Sequence, residues 1–351
     1  MEVFTCGGCG TALTAPLSRV PYPVYAGMPY GNGHPMPVLM EPGTYAVDED
    51  PARAERSIVI APGDAHGTVL LQRGEPGACC GIDGRYGPNL TCAGCGRKVA
   101  TRIDACSLWQ ATWLEPAAVR AVPAGPVRPA ADWASLTHWW CAAEPWDAAG
   151  RWDPRWASET AVTLAHLVAA ADGSPVALPD GPFADAFRAR LDRLLPAAGP
   201  AKRAALAGPG LLLPDPLPDI AVVPRHPQTG QPWPAPAGVA TAPLAVGFWT
   251  HLARRGGRPP RPVTGKLPAG VERDDPLPPH PLGSQPPAWG ACFATLERLS
   301  AAPSGRPAPT RRRGGGVGGR PGRGRRRARG RRGPVGPAGA VGRVGPVGPA
   351  D

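Results

Sequence analysis

In the first third of the chain apolar residues recur at short intervals broken by turn residues, a pattern that predicts β-strands. Glu2–Thr5 reads as a short strand and Thr11–Leu13 as the next one. Pro37–Met40 and Thr44–Val47 flank Glu41-Pro42-Gly43, a turn in which proline presets φ and glycine accepts positive φ. Ser57–Ile60 and Thr68–Leu71 are β-branched or apolar runs joined through Pro62-Gly63-Asp64, a second hairpin signal. Lys98–Ile103 predicts a further strand. After it, Asp104 reads as the cap of a helix carrying Cys106, Trp109 and Trp113 on one face, at spacings of three and four.

Beyond residue 130 the spacing lengthens. Asp153-Pro154 places a capping side chain before a proline at the first helical position, and Trp156, Thr160, Leu164, Leu167, Val168 and Ala171 form the apolar face that follows. Asp172-Gly173 predicts its end. Phe183, Phe187, Leu191 and Leu194 make a second helical stripe, stopped by Pro196. Ile220–Val223 is strand-like, Phe248–Leu252 predicts a short helix, and Trp289, Phe293 and Leu296 fall on another. Proline density between residues 256 and 287 predicts a loop, and from residue 301 the chain is an Arg/Gly/Pro/Ala/Val tail that cannot bury enough surface to offset its ordering entropy.

These patterns predict an α+β chain. Residues 1–115 form a β-hairpin domain, 116–130 a linker and 131–300 a mostly helical, Trp-rich domain with a Pro-rich loop at 256–287; 301–351 is a disordered basic tail. Aromatic usage supports the seam, because all five tyrosines lie between Tyr22 and Tyr86 and all eleven tryptophans from Trp109 onward. Proline and glycine supply 50 and 47 of the 351 residues, which favours loops. The formal charge of +11 is confined to residues 311–351, which hold twelve arginines and one aspartate; the rest of the chain is balanced. Only the tail therefore offers an electrostatic reason to bind nucleic acid. Met1-Glu2-Val3-Phe4 does not resemble a signal peptide, and no uncharged apolar run approaches the length that crosses a bilayer, so a cytoplasmic protein without a membrane partner is expected.

Nine cysteines, an odd number in knuckle-like spacings, fit a reducing compartment and a metal better than a disulfide framework. Cys6-Gly7-Gly8-Cys9-Gly10 and Cys92-Ala93-Gly94-Cys95-Gly96 are matched C-x-x-C-G turns. Each presents two sulfurs from one tight loop, and the following glycine lets backbone amides approach them. Two such turns supply the four thiolates that zinc takes in a tetrahedron. Cys6, Cys9, Cys92 and Cys95 are therefore the expected ligands of a structural zinc; the same set serves iron. A rival set uses Cys79 or Cys80 with Cys92, Cys95 and Cys106. Cys106, Cys141 and Cys292 otherwise read as buried thiols on helical faces. No βαβ pattern suggesting a thioredoxin-like redox role surrounds either turn.

Two such turns on hairpins resemble the zinc-ribbon, or rubredoxin-like, arrangement. The departure is the 82 residues between Cys9 and Cys92, an insertion that has to return on itself. The elements Met1-Glu2-Val3-Phe4-Thr5-Cys6-x-x-Cys9-Gly10-Thr11, Cys80-Gly81-x-Asp83-Gly84 and Gly87-Pro88-Asn89-Leu90-x-Cys92-x-x-Cys95-Gly96 also resemble a group of uncharacterised actinobacterial proteins. That likeness covers residues 1–300 and implies no activity; the Arg/Gly tail is foreign to it.

Three function classes follow. A structural zinc with a protein-binding or adaptor role comes first, since four thiolates leave no open position for water. Nucleic-acid binding through the zinc ribbon and the Arg-rich tail is the second. In the tail Gly319-Arg320-Pro321 resembles an AT-hook, residues 330–350 run as Gly-X-Y triplets, and a shifted frame of a GC-rich gene explains the same composition. A metal-dependent enzyme using Asp64, His66 and Asp83 is the third, although turn residues of these types more often bond their own backbone. The chain has no G-x-S-x-G, H-E-x-x-H or Walker loop. The cluster Trp133, Trp139, Trp140, Trp146, Trp152 and Trp156 reads as core, and Arg225 through Trp233 as a turn between strands.

Overall fold

The computed structural model describes residues 1–27, 37–48, 58–71, 81–106, 108–145, 153–255 and 288–301, all within one compact unit, Met1–Ala308. Cys79, Cys80, Trp146, Trp152, the 256–287 loop and the tail beyond residue 301 lie outside them. The architecture is mixed α/β.

The N-terminal half is built on a seven-stranded sheet. Its strands are β2 (Ser18–Arg19), β3 (Thr44–Val47), β4 (Ile58–Ile60), β5 (Thr68–Leu70), β6 (Leu90–Cys92), β7 (Lys98–Ile103) and β8 (Ala111–Leu114), in the order β2-β3-β4-β8-β7-β6-β5. All pairs are antiparallel except β2–β3. Successive residues serve opposite faces. Tyr45, Ile60, Ala100 and Leu114 enter one core with Phe4, Leu13 and Leu17, whereas Ala46, Val59, Ile103, Ala111 and Trp113 enter another with Leu39, Met40 and Trp109. A separate two-stranded ribbon, β1 (Glu2–Cys6) with β9 (Val119–Pro123), brings Phe4, Cys6 and Val119 to the first core. Phe4 meets Tyr45 edge-on, ring centroids 5.0 Å apart.

Several elements differ from the sequence expectation. The helix beginning at Asp104 is absent: Asp104 bridges Ile82, and Trp113 lies in β8 between Val59 and Thr101 on the neighbouring strands. All four residues of β8 are buried, so a central strand covered on both faces loses the alternation that would have marked it. The runs at 57–60 and 68–71 do not form a hairpin, because β4 pairs with β3 and β8 while β5 pairs with β6; Pro62–Asp64 is a 3-10 turn. Pro37–Met40 contributes only an isolated bridge at Val38. The expected linker at 116–130 contains β9, paired residue by residue with β1.

The C-terminal half holds a parallel sheet, β10 (Val176–Ala177), β11 (Lys202–Leu206), β12 (Ile220–Arg225) and β13 (Ala240–Ala245), with strands in sequence order. Of these only β12 was expected. Helices α1 (Trp133–Leu136), α2 (Pro154–Ala171), α3 (Pro182–Leu194), α4 (Val246–Thr250) and α5 (Trp289–Ala301) complete it, a π-helical turn His251–Arg255 following α4. Ile220 and Val222 join Trp156, Leu164, Phe187, Trp249 and Cys292 in the main core; Ala221 and Val223 meet Trp233, Ala235 and Val239 on the other face. Helix α2 starts and stops where the sequence places it: the Asp153 carboxylate accepts from Arg155 N–H at 2.9 Å, and Asp172 ends it at φ +51. Glu159, buried on α2, accepts from the Arg225 guanidinium at 2.7 and 2.8 Å, tying the helix to the end of β12.

Candidate metal centre

Strands β1 and β6 each run into the same turn. In the first, the N–H of Gly10 donates to Cys6 O and that of Cys6 to Thr11 O, both at 2.8 Å. In the second, Gly96 N–H donates to Cys92 O and Cys92 N–H to Arg97 O, again at 2.8 Å. Gly10 and Gly96 sit at φ +77 and +73, where a β-carbon would be strained. The residue after the leading cysteine is tied outward in both turns, Gly7 N–H to Ala118 O and Ala93 N–H to Gly67 O. The two turns thus repeat one hydrogen-bond pattern and behave as halves related by an approximate two-fold.

The sulfurs obey the same exchange. Cys6 Sγ lies 3.6 Å from Cys95 Sγ and Cys9 Sγ 3.5 Å from Cys92 Sγ. All four atoms fall within 4.8 Å of one another. The leading cysteines are buried at the edge of the first core, Cys6 2% and Cys92 1% exposed; the trailing ones, Cys9 and Cys95, face solvent. A tetrahedron with metal–sulfur bonds of about 2.3 Å has edges of roughly 3.8 Å. The observed contacts match that figure and lie far outside the ~2.05 Å of a disulfide. The cluster is therefore compatible with metal binding.

One side chain breaks the two-fold. The Thr11 hydroxyl lies 3.2 Å from Cys9 Sγ, whereas Arg97, at the matching place in the other turn, sends its guanidinium to Ala117 O at 3.2 Å. The electrostatics follow. Hydrogen bonds from the Thr11 hydroxyl and N–H, with help from Cys92 and Cys95, pull the Cys9 thiol down to about 6. The N–H groups of Gly8 and Cys9 lower Cys6. Arg97 N–H also pulls Cys95 down, but the sulfurs of Cys9 and Cys6 outweigh it and push Cys95 up to about 12. Four sulfurs this close cannot all shed their protons without a cation to offset the charge, which is the behaviour of a thiolate metal site.

The other sequence candidates stand apart from this cluster. Among the described residues Asp64, His66, Asp83 and Cys106 do not belong to the ligand group. Asp64 is nearly buried and accepts from Gly43 N–H at 2.8 Å, which holds the 41–44 turn. Asp83 accepts from Arg85 N–H at 3.0 Å and pairs with its guanidinium. His66 is exposed, its backbone N–H bonded to Leu13 O. Cys292 is buried as expected; Cys106 is only half-buried and off any helix, and Cys141 is exposed on a 3-10 turn. Trp156 is core, but Trp139 and Trp140 are 57% and 64% exposed. Arg225 through Trp233 is a turn, closed by His226 N–H to Gln231 O at 2.9 Å, with the His226 ring accepting from the N–H groups of Gln228 and Thr229. Sequence reasoning treated Thr11 as the start of an outgoing strand, and no spacing rule marked its hydroxyl. Comparison with protein-family models, curated proteins and solved structures gives no match, so the assignment of this site rests on its own geometry.

Proposed function

We infer that Cys6, Cys9, Cys92 and Cys95 hold one structural zinc in a zinc-ribbon-like N-terminal domain, and that the protein works as a binding or adaptor module whose partner is another protein. The observation carrying this reading is the convergence of four sulfurs, from two hydrogen-bonded turns 82 residues apart, at the spacing a tetrahedral ion requires. A thiolate set of this kind selects zinc or iron over hard cations. With all four positions filled by protein, no site remains for an activated water, which argues against Lewis-acid turnover. The exposed pair Trp139 and Trp140 supports a protein partner, since large aromatic side chains of this kind are enriched at interfaces.

The test is elemental analysis of the purified full-length chain under reducing conditions. One zinc per chain is expected, lost in Cys92→Ser. A protein free of transition metal after zinc-supplemented expression, or a Cys92→Ser variant that keeps one equivalent, would overturn the assignment. One equivalent of iron would correct the metal and leave the ligands in place.

A further inference from the structure

The geometry points to Thr11 as the positioning residue that governs how tightly the four-sulfur site holds its ion and how fast it releases it. This rests on the metal reading above. In that state the sulfurs carry no proton, so across the 3.2 Å contact the Thr11 hydroxyl is the donor and Cys9 Sγ the acceptor. Cys9 is one of the two solvent-exposed ligands and so one of the two places where water or a competing chelator can enter. A donated hydrogen bond there satisfies a thiolate lone pair that solvent would otherwise reach, and it fixes the direction in which the sulfur points. The opposite half has no such group, because Arg97 turns away to Ala117.

The surroundings preserve the contact. A β-carbon on Gly94 would lie 2.5 Å from Thr11 Oγ1 and 3.4 Å from Cys9 Sγ, too close for the hydroxyl to stay where it is. A β-carbon on Gly8, the matching position in the other turn, would find Arg97 Cδ at 3.6 Å and the sulfurs of Cys6 and Cys95 at 3.7 Å, ordinary contacts. Neither glycine is held at positive φ. The difference between them is therefore a space kept open for the threonine side chain.

The experiment uses the full-length protein loaded with cobalt(II), whose sulfur-to-metal charge-transfer band reports the electron density on the ligands. Release to an excess of a chromophoric chelator is followed on the same samples. Thr11→Val removes the donor at constant shape. It should move the band to longer wavelength and speed release about 10-fold, the low end of what a lost hydrogen bond to a ligand costs. Thr11→Ser should restore both readouts, Gly94→Ala should reproduce the valine variant, and Gly8→Ala should match wild type. A valine variant with an unchanged band and release within twofold of wild type refutes the role of Thr11; so does a Gly8→Ala variant as labile as Gly94→Ala, which would show crowding instead. If Thr11→Val does not fold, Gly94→Ala decides by the same readouts. A wild type that takes up no cobalt refutes the metal reading itself, and this inference with it, and so separates the two failures.

Discussion

Removing the ion should destabilise the N-terminal half by an amount its topology fixes. A metal bound by the four sulfurs would join Cys9 to Cys92 across 82 intervening residues. As a cross-link on the unfolded chain, a loop of that length restricts the denatured ensemble by about 4–5 kcal/mol. Each C-x-x-C pair can still hold an ion in the unfolded chain, so ligation within a turn contributes less to the difference than the tie between turns. The figure is an upper estimate, because an unfolded chain can escape the restriction by dropping one pair. The assay is urea unfolding under reductant, with stoichiometric zinc or with excess chelator, followed by tryptophan fluorescence in a variant that keeps only Trp109 and Trp113, both in the core of the seven-stranded sheet. With a slope of about 2–3 kcal/mol per M, the midpoint should fall by at most roughly 1.3–2.5 M on chelation. Coincident midpoints for samples shown by metal analysis to be loaded and stripped would refute the reasoning, since the tie would then contribute nothing to folding.

Other consequences can be checked in the same way. Arg225→Met leaves the buried Glu159 carboxylate without its guanidinium and should cost about 3–5 kcal/mol near neutral pH. Burial raises the Glu159 carboxyl above its ordinary value and Arg225 opposes it, so the variant raises it further. A group whose folded value is raised favours the folded state at low pH and loses that advantage as pH rises. The penalty should therefore shrink near pH 4 and grow toward pH 7, and thermal melts showing a penalty constant or larger in acid would be decisive against it. Gly208→Ala would put a β-carbon 2.4 Å from the Trp249 ring, whose Nε1–H donates to Val222 O at 3.0 Å and holds it in place. Overpacking of about 1–3 kcal/mol is expected from the denaturation midpoint. Gly290→Ala, with nothing within 4 Å, should stay within about 0.5 kcal/mol of wild type.

What the sequence revealed divides along physical lines. The four-cysteine cluster was legible because a C-x-x-C-G turn is local: spacing fixes the geometry of each pair, and the four residues named from spacing are the four whose sulfurs meet. Helix α2 was legible from its cap and apolar face, and α3 from its apolar stripe, which are also local. Pairings were not. β4 and β5 are adjacent in sequence yet belong to different parts of the sheet, a choice made by long-range packing. The parallel strands β11 and β13 are rich in alanine, and β13 carries Pro243 on the edge of its sheet, so propensity gave no sign of them. Trp109 and Trp113 fell at helical spacing but fill a core behind a strand, where burial on both faces erased the alternation. The contact between Thr11 and Cys9 needed coordinates, because threonine two residues after a cysteine is common and only the approach of Gly94 shows what the hydroxyl does.

The pairing of β1 with β9 bears on how the protein is made. Residues 2–6 dock against residues 119–123, and the first cysteine turn meets its counterpart only after Cys95 has been added. At about 5–20 residues per second, the 82-residue stretch between them occupies the ribosome for roughly 4–16 s. Throughout that interval residues 11–17 can already bridge β1, but the first cysteine pair would stand without its counterpart, open to any free ion in the cell or to a neighbouring nascent chain. Residues 2–6 are thus made long before the strand at 119–123 that completes their ribbon.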